Sequence, residues 1–316
     1  MAEKSFSISV LVPCYNEEGC LRELFDRLGT IQQQLSTCHW RIILVNDGSI
    51  DSTHELGVQL LHSNRHWCSG VAIDFSRNFG KESAILAGLD HCNEDACIIM
   101  DADLQDPPEL IPLLIESWQN GADIASATRI SRQKDGYLKN LTARSFYKFF
   151  RATSKLNVTQ DSSDFRLLDR KVIVAIRSCR ESIRFSKGFF AWAGFKQDHV
   201  YYKRPERHAG ISKWGSWKLW NYALDGIFNY STSPLRIWTY IGAVITIIAF
   251  VLALKTIIAT LTNGIEVPGY ASTFAAVTFL GGVQLMGIGI LGEYLGRTYI
   301  ESKRRPPYIV KSITRV

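Results

Sequence analysis

The stretch that decides the fold is ACIIMDADLQDPP, residues 96–108. Its first part, Ala96–Met100, is a short uncharged run, typical of a strand that is buried on both faces. Asp101 and Asp103 follow at once, and Pro108 stands in the first turn of a predicted helix, where proline is favoured. A buried strand that ends in acids and leads into a helix is one unit of an α/β fold.

The same pattern of strand, polar cluster and helix recurs along the first half of the chain. The other predicted strands are Ser7–Val12, Arg41–Val45, Val71–Phe75 and Asp123–Ala127. Strands that alternate with helices predict a mostly parallel, Rossmann-like sheet covered on both faces. Ligands of such sheets bind at the carboxyl ends of the strands, and the polar clusters all lie there. We therefore expect a ligand site at this edge.

Asp101 and Asp103 are the first candidates for chemistry at that edge. Residues two apart in an extended segment share a side, so their carboxylates repel unless a cation lies between or beside them. Mg²⁺ or Mn²⁺ bridging to substrate phosphates would supply that cation. The alternative is a structural one, in which the acids cap the following helix.

A second polar cluster, Asn46-Asp47-Gly48-Ser49, follows the second strand. Gly48 permits a tight turn, and Asp51 or Ser52 can cap the next helix. The functional interpretation gives Asp47 a hydrogen bond to a nucleobase. The glycine pattern of dinucleotide-binding enzymes is absent from the first strand–helix turn, which argues against an oxidoreductase.

Composition sets broader limits. The chain has 46% hydrophobic and 21% charged residues and a net charge of +6, which suits an anionic partner. Its seven cysteines form no C-x-x-C pair, so a reducing cytosol is expected. The first apolar run, Ile8–Val12, is too short for the core of a signal peptide. The basic residues do not interleave with aromatic ones as in nucleic-acid modules, so we expect no nucleic-acid partner.

Two long apolar segments, 237–260 and 271–292, are predicted to cross a membrane. Lys and Arg flank the pair on its outer sides and are absent from the loop between, so both chain ends are expected in the cytosol. Residues 214–230 have apolar side chains near helical spacing. They predict an interfacial helix on the membrane, with a core helix of the soluble domain as the alternative.

Several motifs together resemble the GT-A glycosyltransferases of family 2. Within that family they resemble the polyprenyl-phosphate glycosyltransferases, and above all the bacterial and prophage bactoprenol glucosyltransferases. The resemblance covers essentially the whole chain, with Asn46 standing where Asp is common. The segments that carry it are 10–18, 46–49, 75–82, 101–107, 164–167, 217–220, 234–238 and 292–297.

The resemblance implies roles for particular residues. The nucleotide-sugar would be bound by Pro13, Tyr15, Glu17, Asp47, Lys81, Asp101 and Gln105. Asp101 and Asp103 would hold Mg²⁺ or Mn²⁺. Asp164, with Asp103 and Arg129, would act in catalysis, as a base or by positioning the acceptor. The lipid phosphate would be bound by Arg129, Arg144, Arg207, Ser212 and Lys213.

The implied organisation is a cytosolic GT-A domain over 1–212, juxtamembrane helices over 213–236, two transmembrane helices within 237–295 and a basic cytosolic tail over 296–316. The implied reaction is inverting transfer of glucose from UDP-glucose to undecaprenyl phosphate at the bacterial inner membrane, for O-antigen or envelope glycosylation. A homo-oligomer, for instance a tetramer, is implied, and so is partnership with a flippase and a downstream glycosyltransferase.

Alternatives remain at this point. The donor could carry another sugar, as in GDP-mannose, UDP-GlcNAc or an aminoarabinose derivative. A processive polysaccharide synthase of the same fold would carry a Gln-x-x-Arg-Trp motif and more spans, and neither is found in the sequence. A non-catalytic sugar-binding scaffold would not need the acidic cluster and Asp164.

Overall fold

The computed structural model describes residues 5–35, 37–130, 162–182, 184, 186–202, 233–263 and 269–316. The chain divides into two compact units. The first comprises Met1–Tyr147, Leu156–Gly215 and Arg305–Val316, and the second comprises Lys148–Lys155 and Ser216–Arg304.

The first unit is a sheet with helices on both faces. Its strands are β1 Phe6–Cys14, β2 Cys38–Asn46, β3 Cys68–Phe75, β4 Ala96–Ile99, β5 Ile124–Arg129, β6 Ser162–Asp169, β7 Gln197–Tyr202 and β8 Val310–Arg315. Its helices are α1 Glu18–Gln34, α2 Thr53–Ser63, α3 Lys81–Asp90, α4 Ile111–Gln119, α5 Arg170–Ser178 and α6 Ser186–Trp192, with a 3₁₀ turn at Pro108–Leu110.

The sheet has the strand order β7-β5-β6-β4-β1-β2-β3-β8. Its centre, β4-β1-β2-β3, is parallel, with Leu11 opposite Ile99 and Cys14 opposite Asn46. Because these strands run the same way, the polar clusters that follow them meet at one edge. The predicted mostly parallel α/β sheet is confirmed.

Three antiparallel pairings were not predicted. β6 runs antiparallel to both β4 and β5, and β8 runs antiparallel to β3. An antiparallel strand contributes its first residues to the edge where its parallel neighbours end. The beginning of β6, which holds Asp164, therefore lies at the same edge as the end of β4.

The core consists of two apolar layers, one on each face of the sheet. On one face α1 buries a stripe at helical spacing, and α2 and α4 pack beside it. The stripe is Leu21, Leu24, Phe25, Leu28 and Ile31, as the sequence predicts. On the other face α3, α5 and α6 bury residues such as Ile85, Ile173 and Phe190. Each fully buried side chain of this kind stabilises the fold by about 1.5 to 3 kcal/mol.

The end of the chain corrects the prediction of a basic tail over 296–316. Residues Val310–Arg315 form β8 on the edge of the sheet, and Tyr308 stacks on Phe75 with ring centroids 5.1 Å apart. Lys311 and Arg315 are exposed, as charged residues on an edge strand usually are. These charges conceal the strand signal in the sequence.

The second unit contains α7 Ser233–Asn263 and α8 Tyr270–Ser302. Within them, Ile237–Thr256 and Phe279–Ser302 are long and apolar enough to cross a membrane. The helices extend beyond the predicted 237–260 and 271–292. They touch at Gly287, where a Cβ would collide with the Trp238 indole ring unless that ring moved. The predicted interfacial helix over 214–230 lies outside the described residues.

Candidate active site

Three charged side chains of the first unit meet at the carboxyl edge of the sheet. Lys81, at the start of α3, places its Nζ 2.6 Å from Oδ1 of Asp101 and 2.7 Å from Oδ2 of Asp164. The strand register explains the meeting, since Ile99 of β4 pairs with Arg166 of β6. Asp101 lies two residues after Ile99, and Asp164 lies two residues before Arg166, so both carboxylates reach the same point.

The electrostatics of this cluster are dominated by burial and by mutual charge. Burial raises the pKa of Asp101, and the neighbouring carboxylates of Asp164 and Asp103 raise it further, against the opposing effect of Lys81. Burial alone would lower the pKa of Lys81, but the charges of Asp164 and Asp101 outweigh it and raise that pKa. Lys81 is therefore a permanent ammonium that draws both carboxylates together.

Asp47 lies at the same edge and is buried. Its carboxylate accepts hydrogen bonds from the backbone N–H groups of Phe79, at 2.6 Å, and Gly80, at 2.9 Å. Burial raises the pKa of Asp47, and these two hydrogen bonds oppose the rise. Asp47 thus joins the turn after β2 to the loop after β3. The Asp47 carboxylate that accepts these two hydrogen bonds is the group that the sequence predicts to bind a nucleobase.

Gly48 allows these two loops to approach closely. It has a φ of +65°, and a Cβ there would lie 2.4 Å from the carbonyl carbon of Arg77. An L side chain would therefore be strained and would also collide with backbone. The sequence indicates the turn at Gly48 but gives no sign of the packing against Arg77.

The turn after β1 is joined to the turn after β2 by side-chain hydrogen bonds. Asn16, with a φ of 55°, donates its N–H to Ser49 Oγ at 2.9 Å and accepts from the N–H of Ile50 at 3.0 Å. The N–H of Glu17 donates to Thr53 Oγ1 at 2.9 Å. The sequence pattern does not single out Asn16, although Asn is one of the few non-glycine residues enriched in this backbone conformation. Tyr15, between Cys14 and Asn16, is exposed at the edge.

Asp103 and Gln105 form a tight turn, in which the N–H of Gln105 donates to Asp103 Oδ1 at 3.1 Å. Leu104 between them has a φ of 54°. Arg129, at the end of β5, pairs with Asp106 at 3.1 Å, and its Nε donates to the hydroxyl of Tyr202 at 3.1 Å. Tyr202 also donates to Asp106. The structure therefore places Arg129 beside the acidic loop, which comprises residues 101–106. Asp106 and Tyr202 are partners of Arg129 that the sequence does not indicate.

The acidic loop fits a hard divalent cation. Asp101 and Asp103 supply carboxylate oxygens, which Mg²⁺ and Mn²⁺ prefer, and their charges already repel each other. Among the described residues, no group of three or more His, Cys, Asp or Glu is arranged to hold a metal. Two carboxylates that leave other positions to substrate phosphates are the usual arrangement for a cation of this kind.

Four predicted lipid-phosphate residues lie outside the described part of the chain. They are Arg144, Arg207, Ser212 and Lys213. The structure thus brings together Lys81, Asp101 and Asp164 and joins Asp47 to the backbone just before Lys81. It places Arg129 by the acidic loop, whereas the acceptor residues of the other segments stay predictions.

The sequence comparisons show that this α/β protein is a glycosyltransferase. The chain belongs to glycosyl transferase family 2, whose profile matches residues 9–177. Residues 233–298 match a second family, the GtrB C-terminal hairpin. The predicted resemblance to family 2 is therefore confirmed.

Individual relatives are similar over nearly the whole chain. The bactoprenol glucosyl transferase of Shigella phage SfV is 48% identical over 96% of this chain and 98% of its own. The prophage bactoprenol glucosyl transferase homolog of Escherichia coli K12 is 46% identical over 97% of this chain and 99% of its own. The predicted resemblance to bactoprenol glucosyltransferases is confirmed as well.

Among solved structures, glucosyl-3-phosphoglycerate synthase of Mycobacterium tuberculosis aligns at 17% identity with a TM-score of 0.48. The alignment covers 71% of this chain and 78% of that one. A likeness at this level carries no argument about function.

Proposed function

We propose that this chain transfers glucose from UDP-glucose, with inversion, to undecaprenyl phosphate at the cytosolic face of a bacterial inner membrane. The observation that carries the proposal is the meeting of Asp101 and Asp164 at the sheet edge that also holds Asp47. The names of the relatives support a bactoprenol acceptor and a glucosyl donor.

The turns after β1 and β2 supply the donor site. Asn16 and Asp47 fix these turns through hydrogen bonds to Ser49, Ile50 and Gly80. We expect the nucleotide to lie against Pro13, Tyr15 and Glu17, with Gln105 nearby. Turns held in place before binding lose less conformational entropy when the donor arrives.

The difficult part of the reaction is the departure of the nucleoside diphosphate. A divalent cation, when bound by Asp101 and Asp103, would neutralise the negative charge that develops on that diphosphate. Lys81, a permanent ammonium at the same edge, adds a second positive charge close to this position. These residues bind and orient the leaving group, and this role requires no proton transfer from them.

The acceptor phosphate needs little activation, because a phosphate monoester already carries a charge of about −1.5 to −2 near neutral pH. Asp164 would position it, or remove its remaining proton, opposite the anomeric carbon. Arg129 lies beside the acidic loop and can bind a phosphate in a bidentate manner. We expect Arg144, Arg207, Ser212 and Lys213 to complete the phosphate site. Displacement from the face opposite the leaving group would invert the anomeric centre.

The apolar helices α7 and α8 support the membrane location. We propose that both cross the membrane, with the catalytic domain and both chain ends in the cytosol, where nucleotide-sugars are made. We also propose that the chain forms a homo-oligomer. Its product would be moved across the membrane by a flippase and used by a downstream glycosyltransferase. Labelling of a cysteine introduced between residues 264 and 268 tests the topology in intact cells, and labelling only from the outside is the expected result.

The test is a membrane assay with undecaprenyl phosphate and a panel of radiolabelled nucleotide-sugars, with and without EDTA. We expect label in the lipid phase from UDP-glucose only, and only with Mg²⁺ or Mn²⁺. Label from GDP-mannose or UDP-GlcNAc instead would change the donor and keep the reaction. No label from any donor, although the purified protein binds UDP-glucose, would favour a sugar-binding scaffold.

Matched carboxylate variants assign the activity to this site. Asp164→Asn and Asp103→Asn should each lower kcat by about 100-fold or more, because each removes a charge at the reacting groups. Asp26→Asn, on the exposed face of α1, is the control and should leave the rate unchanged. Full activity in both site variants would contradict the proposed mechanism.

A further inference from the structure

Lys81 occupies the position where a cation is expected. Its Nζ lies 2.6 and 2.9 Å from the two oxygens of Asp101 and 2.7 Å from Asp164. The ammonium is thus bound by both oxygens of a proposed metal ligand and by the proposed acceptor-facing carboxylate. The family resemblance of the segment 75–82 implies only a donor-binding role for Lys81.

We infer that Lys81 is the resident counter-ion of Asp101 and Asp164 in the donor-free enzyme, and that it keeps the affinity of the free enzyme for divalent cations low. The inference rests on the proposed function, since it takes Asp101 as a metal ligand. Its consequence is an order of binding in which metal enters with the nucleotide-sugar rather than before it.

The physical reason is competition for the same oxygens. A divalent cation on Asp101 needs a carboxylate lone pair within about 2.0 to 2.3 Å, and both oxygens of Asp101 are already in contact with the ammonium. Two positive charges at such separations repel strongly in a partly desolvated site. A cation that binds without the donor must therefore move Lys81 away from Asp101.

The donor removes this obstacle because it brings its own negative charge. The diphosphate of a nucleotide-sugar offers oxygens to both the cation and an ammonium. Lys81 can then exchange Asp101 for a phosphate oxygen without losing an anionic partner. The three side chains are 36 to 39% exposed, so the exchange does not require the core to open.

A second lysine–aspartate ion pair of the same unit lies away from the acidic loop. Lys171 pairs with Asp123, at 2.5 Å, where β5 begins, which is the opposite edge of the sheet. That lysine is largely exposed, and its partner lies far from the acidic loop. It is a surface pair, and it serves as the matched control.

The experiment measures Mn²⁺ binding to the full-length protein in detergent, without donor or acceptor, by electron paramagnetic resonance of free Mn²⁺. We expect Lys81→Met to bind Mn²⁺ about tenfold more tightly than the wild type, or tighter still. Lys81→Arg, which keeps the charge, should bind as weakly as the wild type, and so should Lys171→Met. Addition of Asp101→Asn to Lys81→Met should remove the gain.

Equal or weaker Mn²⁺ binding by Lys81→Met would overturn the inference. Lys81→Gln provides a second neutral variant if Lys81→Met does not fold, and thermal unfolding verifies folding in each case. Mn²⁺ binding in the presence of UDP is a further measurement. UDP should raise the Mn²⁺ affinity strongly in the wild type and only weakly in Lys81→Met. Equal enhancement in both proteins would also overturn the inference.

This test is separate from the test of the proposed function. Mn²⁺ binding to the free enzyme involves neither turnover nor the lipid. If no sugar reaches the lipid but Lys81→Met gains Mn²⁺ affinity, the proposed reaction fails and the role of Lys81 stands. If sugar transfer is observed and the Mn²⁺ affinity does not change, the proposed reaction stands and the role of Lys81 fails.

Discussion

The side-chain amide of Asn46 donates a hydrogen bond of 2.7 Å to the carboxylate of Asp74, its register partner across β2 and β3. Both residues are buried, and Asp74 also pairs with Lys311 of β8 at 3.2 Å. A contact chain therefore runs from the C-terminal strand to the residue before Asp47. It explains why an amide stands at position 46, since Asp74 needs a donor there and another carboxylate would repel it.

The first prediction is that Asn46→Asp destabilises the protein and weakens donor binding. The change replaces a donor with a like charge beside a buried carboxylate, so the free energy of unfolding should fall by about 2 to 3 kcal/mol. Denaturant unfolding and UDP calorimetry measure the two effects. The same amide-to-acid change at Asn120, which is exposed at the end of α4, is the control and should be nearly neutral. Wild-type stability of Asn46→Asp would contradict this account.

The second prediction compares two glycines with positive φ. Gly48→Ala brings a Cβ within 2.6 Å of two backbone atoms of residues 77 and 78, whereas Gly80→Ala meets nothing within 4 Å. Gly80→Ala should therefore cost only the backbone strain, about 1 to 3 kcal/mol. Gly48→Ala should cost more and should also separate the loops that Asp47 joins.

Calorimetry with UDP and thermal unfolding measure this difference. We expect Gly48→Ala to lower UDP affinity at least about tenfold and Gly80→Ala to do so less. Equal losses in the two variants would show that conformational strain alone decides the outcome, and would refute the close approach as the reason for glycine at position 48.

The third prediction concerns the attachment of the C-terminal segment. Tyr308 stacks on Phe75, and its hydroxyl donates to Asp90 at 2.6 Å. Tyr308→Phe removes the hydrogen bond and keeps the ring, so it should cost about 1.5 to 3 kcal/mol, the range for hydrogen bonds to charged groups. Tyr308→Ala removes both contacts and should cost more than Tyr308→Phe, by about 1 kcal/mol or more, because the half-buried ring contact is lost as well. If the two variants are equally stable in denaturant unfolding, the stacked ring does not anchor β8.

The fourth prediction is a dependence of stability on alkaline pH. Burial, and then the hydrogen bond to Asp106, raises the pKa of Tyr202 to about 12 from an ordinary value of about 10. The folded state therefore favours the protonated phenol more than the unfolded state does. This contribution is fully present below pH 10 and is lost as the pH rises towards 12.

Comparison with Tyr202→Phe isolates this contribution. Between pH 9.5 and 12, the wild type should lose about 2 kcal/mol more of its free energy of unfolding than the Phe variant loses. Denaturant unfolding at a series of pH values is the measurement. Parallel pH profiles for the two proteins would mean that Tyr202 titrates normally.

Much of the fold could be predicted because it depends on local periodicity. Apolar runs such as Ile8–Val12 and the stripe on α1 follow directly from residue order, and each predicted strand exists within a few residues of its predicted bounds. β6 escaped prediction because Arg166 interrupts its apolar pattern; this guanidinium is buried against the ring of Phe190. β8 was not predicted because it is short and partly charged, and because its pairing partner, β3, is far away in the sequence.

The candidate site was predicted less completely, and for a related reason. Asp47, Asp101 and Asp103 follow strands of a parallel sheet, so their common edge can be inferred without knowing any contact. Nothing local indicates that Asp106 and Tyr202 bind Arg129, or that Asn16 fixes the turn at Ser49. Those contacts join segments far apart in the chain.

The amino-acid sequence by itself determined that strands and helices alternate, that acids follow the strands, and that two long apolar segments come near the end. Only the tertiary structure decided that Asp101 and Asp164 share the ammonium of Lys81, and that the last strand returns to β3. The physical reason is that antiparallel register depends on which distant residues pair, and a shift of one residue would turn Asp164 to the other face of the sheet.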